Sequence, residues 1–364
     1  MMSVEYKVAF PHMGNYHIPI ATFVKHTLNA KVCVTPKITK KTLDLGTKHS
    51  PDFVCVPFKY NLGNYIEALE EGANVLIQAG GGCRFGYYGE VQEEILKNLG
   101  YEFNFFNITS RTFKPLSYYK MLKKINHKLT LHKFLYCFCL INRQIAVLDK
   151  FEDYIRKNIG FEINKGDFEK LEKRFHSELI KSEKIKEVKS IFVKYNKLLK
   201  EIPINKPNDC LRVGIVGEIY VLMEPFSSCF LEKELAKKGI EIRRYINVSY
   251  LFFSKEHKKI NTLKLAKPYL QYDIGADGVD SVAHSKVMAE EGFDGIIHIK
   301  PFGCTPEINC MPILDKISED YKIPILYFSF DSQTSETGVK TRLEAFHDML
   351  LMRKEKNKKW KKAI

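Results

Sequence analysis

The chain has 364 residues, 45% hydrophobic and 27% charged, an ordinary balance for a soluble globular protein and enough length for two or three cores. No apolar run reaches the roughly 20 residues that span a bilayer, so no membrane role is expected. The formal charge of +14 is concentrated: residues 111–205 carry 22 Lys and Arg against 11 Asp and Glu, and residues 353–364 carry 7 against 1. Such patches suit nucleic acid or an acidic protein, but solvated helix faces account for most charge runs, and nucleic acid is not the expected partner.

The opening MMSVEYKVAFPHMGNYHIPI lacks a charged stretch ahead of an apolar one, so a cytoplasmic protein without a signal peptide is expected. YKVAF (6–10) reads as a short strand ending in the loop PHMGNYHIP. The apolar AKVCVTP and DFVCVPF follow, then a helical NLGNYIEALEEG and the strand NVLIQAG. After the run GGGC come a helix over YYGEVQEEILKNLG and a strand over EFNFFNI. Strands separated by helices of this length predict parallel pairing, and residues 1–110 form an N-terminal α/β lobe. Residues 111–205 lose glycine, gain Lys and Glu and repeat apolar residues at helical spacing, which predicts a basic helical segment ending at PINKP. Residues 206–350 return to α/β alternation through LRVGIVGEIY, LEKELAKKGI, IEIRRYIN, DSVAHSKVMAEEG, FDGIIHIKP, CMPILDKISEDY and IPILYFSFD, and a basic tail (351–364) closes the chain. The expected fold class is α/β: two lobes with doubly wound parallel sheets, plus a helical insertion.

Nine cysteines without a secretory signal argue against a disulfide framework. Cys55 lies in DFVCVPFK, read as the end of a strand; Cys83 and Cys304 each follow a strand and precede a helix, in GGGCRFGYYGE and PFGCTPE. Ligands of open α/β sheets bind outside the carboxyl ends of strands, so the three thiols share a functional edge, two from one lobe and one from the other. Gly81, Gly82 and Gly303 let backbone N–H groups approach a bulky anion there. Thiolates bind iron–sulfur clusters, yet the spacing matches neither a ferredoxin run nor paired zinc knuckles, and on spacing alone packed structural cysteines are the commoner outcome. Cys33, Cys137, Cys139, Cys210 and Cys229 read as packing residues. Cys310, six residues after Cys304, is a reserve fourth ligand.

The strings CVPFKYNLGNYIEALEEGANVLIQAGGGCRFGYYGEVQEEIL, KPFGCTPE and SFDSQTSETGVKTRLEAFHDML resemble the 2-hydroxyacyl-CoA dehydratase superfamily, in particular its branch of uncharacterised activase-related proteins. The resemblance implies two Rossmann-like lobes with a 4Fe–4S cluster held by Cys55, Cys83 and Cys304. It also implies an electron donor, an ATP-dependent activase of actin-like fold, and a homologous partner subunit or a homodimer. In the dehydratases the reduced cluster enables radical removal of water from a 2-hydroxyacyl-CoA; relatives use it for other reductions in anaerobic metabolism. The substrate of this chain, and whether it is a CoA thioester, does not carry over.

Lys59 and Arg84 follow cluster cysteines closely, where a cation stabilises an anionic cluster or substrate, with surface snorkelling as the plain alternative. Glu307, three residues past Cys304, is read first as a helix cap and second as a proton donor. His12 and His17, in the loop after the first strand, are acid/base candidates or ordinary loop histidines. GIVGEIY lacks the three-glycine spacing of a dinucleotide fingerprint, although Glu218 and Glu224 there can face a cleft. Three functions follow: an iron–sulfur reductase or dehydratase-like enzyme, a non-catalytic electron carrier or cluster scaffold, and a binding protein with structural cysteines. The first is the expected one.

Overall fold

A computed structural model describes residues 6–32, 35–108, 115–251 and 255–363. Cys33, read as a packing residue, lies outside them. The contacts divide the chain into two compact units, residues 1–148 with 173–195, and residues 149–172 with 196–364.

In the first unit β1 (Lys7–Ala9), β2 (Lys31–Val32), β3 (Val75–Ala79) and β4 (Asn104–Ile108) form a parallel sheet in the order β2-β1-β3-β4. Its helices are α1 (His17–Leu28), α2 (Lys40–His49), α3 (Val56–Glu70), α4 (Tyr88–Asn98) and α5 (Pro115–Ile125). Successive side chains of β3 point to opposite faces. Leu76 packs with Phe58, Leu62, Tyr65 and Leu96, while Val75 and Ile77 pack with Val8, Phe10 and Val24. Both faces are covered, as a parallel sheet requires.

The stretch read as basic and helical holds, among its described residues, four α-helices joined by short turns: α5, then α6 (Leu131–Asn158), α7 (Asp167–Leu179) and α8 (Ile185–Glu201). Its amphipathic faces bury Phe134, Leu140, Phe168, Phe175 and Tyr195. Cys137 is buried there, whereas Cys139, two residues on, is exposed and is not the packing residue expected.

The second unit repeats the topology with β5 (Arg212–Gly217), β6 (Glu241–Arg243), β7 (Gly295–Pro301) and β8 (Ile325–Phe330), all parallel in the order β6-β5-β7-β8. Its further helices are α9 (Ile219–Met223), α10 (Leu231–Lys237), α11 (Lys255–Ala266), α12 (Gly278–Glu290), α13 (Thr305–Tyr321) and α14 (Glu336–Ala363). Residues 351–363, read as a tail, are the last turns of α14, where Lys354 and Lys358 pair with Asp294 and Asp209. Every residue of β7 is buried. In each sheet the strand order reverses between the first and third strands, β1 and β3 or β5 and β7, and crevices for ligands open at such points. Gly214 and Gly217 of β5 are required by packing rather than by a nucleotide. A Cβ at Gly214 would sit 2.0 Å from Met288 Sδ, and one at Gly217 would sit 1.8 Å from the Ile299 carbonyl oxygen. Among the described residues no helix is long and apolar enough to cross a membrane.

Candidate functional site

Each of the three singled-out cysteines stands at the N-cap of a helix. Cys83 follows β3 and caps a short 3-10 turn, Arg84–Tyr87, that leads into α4; Cys304 follows β7 and caps α13. The two therefore occupy matching positions in the two sheets. Cys55 caps α3 but does not end a strand as expected: residues 52–54 form turns and bends, with Phe53 79% exposed. Pro51 opens that turn, accepting from Val54 N at 3.4 Å, and there is no ladder to join. Cys55 and Cys304 share a local device. Pro57 and Pro306 stand two residues into their helices, where a fixed φ fits the helix and the missing N–H costs nothing.

An N-terminal helix turn presents unpaired N–H groups and partial positive charge, which favours thiolate over thiol. The sulfurs have further donors. Tyr88 Oη lies 3.1 Å from Cys55 Sγ, and Phe85 N donates to Cys83 Sγ at 3.4 Å. The Phe85 and Tyr88 rings lie 5.3 Å apart, so both cysteines of the first unit border one aromatic corner. Burial, and next the Cys55 sulfur, push the Tyr88 hydroxyl well above its usual pKa, so it stays a hydrogen-bond donor. Gly82 and Gly303, directly before Cys83 and Cys304, hold φ of 87° and 77°, which L side chains resist. Gly81 and Arg84 are exposed, and Arg84 lies close enough to Tyr88 to oppose the rise of its pKa. Lys59 is half-buried within α3.

The histidines lie beside the first reversal point. His12 follows β1 and is buried, its backbone N–H donating to Asn64 Oδ1 at 2.9 Å. His17 is not a loop residue but the first of α1; its Nδ1 donates to the Gly14 carbonyl at 2.8 Å, and its ring stacks on His12 at 5.1 Å.

Glu307 departs from its reading as a helix cap. Its side chain is fully buried, and Oε2 lies 2.7 Å from His298 Nε2 and accepts from Ser281 Oγ at 2.9 Å. The backbone N–H of Cys304, which such a cap would satisfy, donates instead to Pro301 O at 3.2 Å. Cys310 is also fully buried; its thiol donates to the Glu307 carbonyl at 3.2 Å, and burial, then Glu307, push its pKa well up. Sequence reasoning passed over three features of this neighbourhood. His298 is a fully buried polar residue within the apolar strand IIHIK, and that interruption was the visible signal. Lys300 is 5% exposed, burial lowers its pKa, and the sulfur of Cys304 and the carboxylate of Glu307 pull the other way. The acidity of Glu218, at the second reversal point, was equally hidden: it caps α9 by accepting from Val221 N at 3.0 Å, and burial and then Asp277 raise its pKa to about 8. Glu224 is buried and accepts from Phe226 N at 3.2 Å.

The first unit thus offers two thiols with backbone and hydroxyl donors; the second, taken by itself, offers Cys304 near the buried Lys300, and Glu218, whose pKa is raised to about 8. No curated protein sequence matches the chain. Residues 118–350 match the family described as 2-hydroxyglutaryl-CoA dehydratase, D-component, a stretch that includes Cys304 and ends before α14 does, but starts after Cys55 and Cys83. That stretch is more than half of the chain, and the protein belongs to this dehydratase family.

Proposed function

We propose that the chain holds a 4Fe–4S cluster through Cys55, Cys83 and Cys304 and serves a reductive or dehydrating reaction on a small molecule. The observation that carries this reading is the matched placement of Cys83 and Cys304 at helix N-caps beyond equivalent strands of two repeated sheets, inside a dehydratase family. Three thiolates leave one iron for substrate, and a bound cluster supplies single low-potential electrons. The chain's own groups stabilise the added charge: the helix N-terminal amides, Tyr88 Oη at Cys55, Phe85 N–H at Cys83 and the Lys300 ammonium facing Cys304. In this reading Glu218, whose pKa is raised to about 8, gives up a proton on the second unit's side.

The electron comes, in this reading, from an ATP-dependent activase of actin-like fold, and a homologous subunit or second copy completes the assembly; that the family is named for a component of a dehydratase supports such pairing. A carrier or scaffold would need a fourth protein ligand. Cys310, buried as a thiol that donates to Glu307, does not favour it.

Iron, acid-labile sulfide and EPR of the reduced protein, prepared without oxygen, test the reading. About four irons per chain are expected, lost in each of the Cys55→Ala, Cys83→Ala and Cys304→Ala variants while far-UV circular dichroism is retained. Absent iron after anaerobic reconstitution, or iron indifferent to all three substitutions, would overturn it.

A further inference from the structure

Beneath Cys304, three side chains with metal-ligating atoms converge in the closed interior of the second unit. His298 comes from the middle of β7, and Glu307 and Cys310 from successive turns of α13; all three are 0% exposed. Burying a carboxylate, an imidazole and a thiol together is costly unless each finds a partner. Among the described residues His298 Nδ1 and Glu307 Oε1 have no hydrogen-bond partner. The polar set is therefore only partly satisfied by the protein itself.

The spacing of the donor atoms is informative. A tetrahedral zinc ion with bonds of about 2.0–2.1 Å to nitrogen and oxygen and about 2.3 Å to sulfur holds an N···O pair about 3.3 Å apart and each pair with sulfur about 3.5 Å apart. Cys310 Sγ lies 3.6 Å from His298 Nε2 and 3.4 Å from Glu307 Oε2, so both sulfur edges already have the length such an ion imposes. The N···O edge, hydrogen-bonded at 2.7 Å, would open by about 0.6 Å. Ser281 Oγ, on α12 and 2.9 Å from the same Oε2, orients the carboxylate as groups behind a metal ligand do and adds a fourth oxygen at the edge of the set.

We propose that His298 Nε2, Glu307 Oε2 and Cys310 Sγ form a second metal site, for a single divalent transition ion of the zinc type, separate from the three-cysteine site. One neutral imidazole, one carboxylate and one thiolate balance a divalent charge, and the mixed nitrogen, oxygen and sulfur set suits zinc rather than magnesium or calcium. Full burial closes the three ligands to bulk solvent, and Ser281 Oγ stands nearest to a fourth position. The thiol must lose its proton to bind, so occupancy falls as pH falls. The ion would tie β7 to α13 immediately below the loop that ends in Cys304.

The test uses the full-length chain carrying Cys55→Ala, Cys83→Ala and Cys304→Ala, so that it stands or falls independently of the cluster. Titration with Co2+ is expected to saturate at about one ion per chain, with tetrahedral d–d absorption and a thiolate-to-cobalt charge-transfer band, both abolished by Zn2+. Adding Cys310→Ala should remove the charge-transfer band and weaken binding by about 100-fold or more. The wild-type fold supplies a second readout: added Zn2+ should raise its melting temperature, and the shift should vanish in the single variants Cys310→Ala and His298→Gln. Absence of a tetrahedral cobalt spectrum, or a spectrum and melting shift unchanged by Cys310→Ala, would overturn the site.

Discussion

Glu218 is a carboxylic acid that stays protonated where most glutamates are charged, because burial, and next the neighbouring Asp277, raise its pKa from the usual 4.5 to about 8. In the unfolded chain the same group ionises near its usual pKa. Between about pH 4.5 and 8 the folded state therefore binds more protons than the unfolded state, and its stability falls as pH rises. The substitution Glu218→Gln would keep an acceptor for Val221 N without the titration. Urea midpoints of wild type and Glu218→Gln should be close at pH 5 and diverge by pH 8, with the variant gaining at least about 1 kcal/mol, less than the worth of a full pKa unit. Parallel pH profiles would show that the carboxyl is not held as an acid. Legibility at this scale was uneven. The placement of Cys83 and Cys304 between a strand and a helix was readable, because a glycine before a cysteine at such a junction is a local pattern. The role of Glu307 was not, because its partners Ser281 and His298 are 26 and 9 residues distant and only the fold unites them.

Helices α2 and α3 touch backbone to backbone. A Cβ at Gly46 would sit 1.7 Å from the Lys59 carbonyl oxygen, and one at Gly63 would sit 1.9 Å from that of Thr42. Thr42 also donates to the buried Glu67 at 2.7 Å, and with Thr39 it forms a reciprocal cap at the start of α2. This seam fixes α3, whose N-cap is Cys55. Gly63→Ala is expected to cost about 2–3 kcal/mol by overpacking, whereas Gly338→Ala, where an added Cβ meets nothing within 4 Å, should be neutral or slightly stabilising. Equal denaturation midpoints for the two variants would contradict the close crossing. Helix α3 was legible from its apolar spacing. Helix α2, KKTLDLGTKH, was passed over because it carries few apolar residues and owes its place to this contact. The strand expected at DFVCVPF failed for the opposite reason: a short apolar run satisfies strand and helix-entry patterns alike, and Pro57 at the second helical position was the deciding signal.

At the scale of the molecule, the alternation of strands and helices announced parallel sheets, whereas their strand order came only with the structure. How the chain is shared between the units was not announced, since residues 149–172 belong with 196–364 while 173–195 belong with 1–148. Helical periodicity says which face is buried but not against what. A fragment of residues 206–364 therefore lacks a piece of its own unit. Expressed alone it should be rapidly cleaved by trypsin, and co-expression with residues 1–205 should restore resistance. Cooperative unfolding of 206–364 by itself would count against that division.

The same interleaving governs how the protein is made. Segment 149–172 of the second unit leaves the ribosome before 173–195, the last piece of the first. Translation thus has to pass well beyond the β2-β1-β3-β4 sheet before the unit built on it is complete, leaving a nascent chain with an unfinished core as a target for chaperones. Recombination faces the same constraint. A crossover at either edge of the basic helical stretch would sever a unit from a segment of itself, so the two halves, despite their repeated strand order, are poor cassettes for exchange.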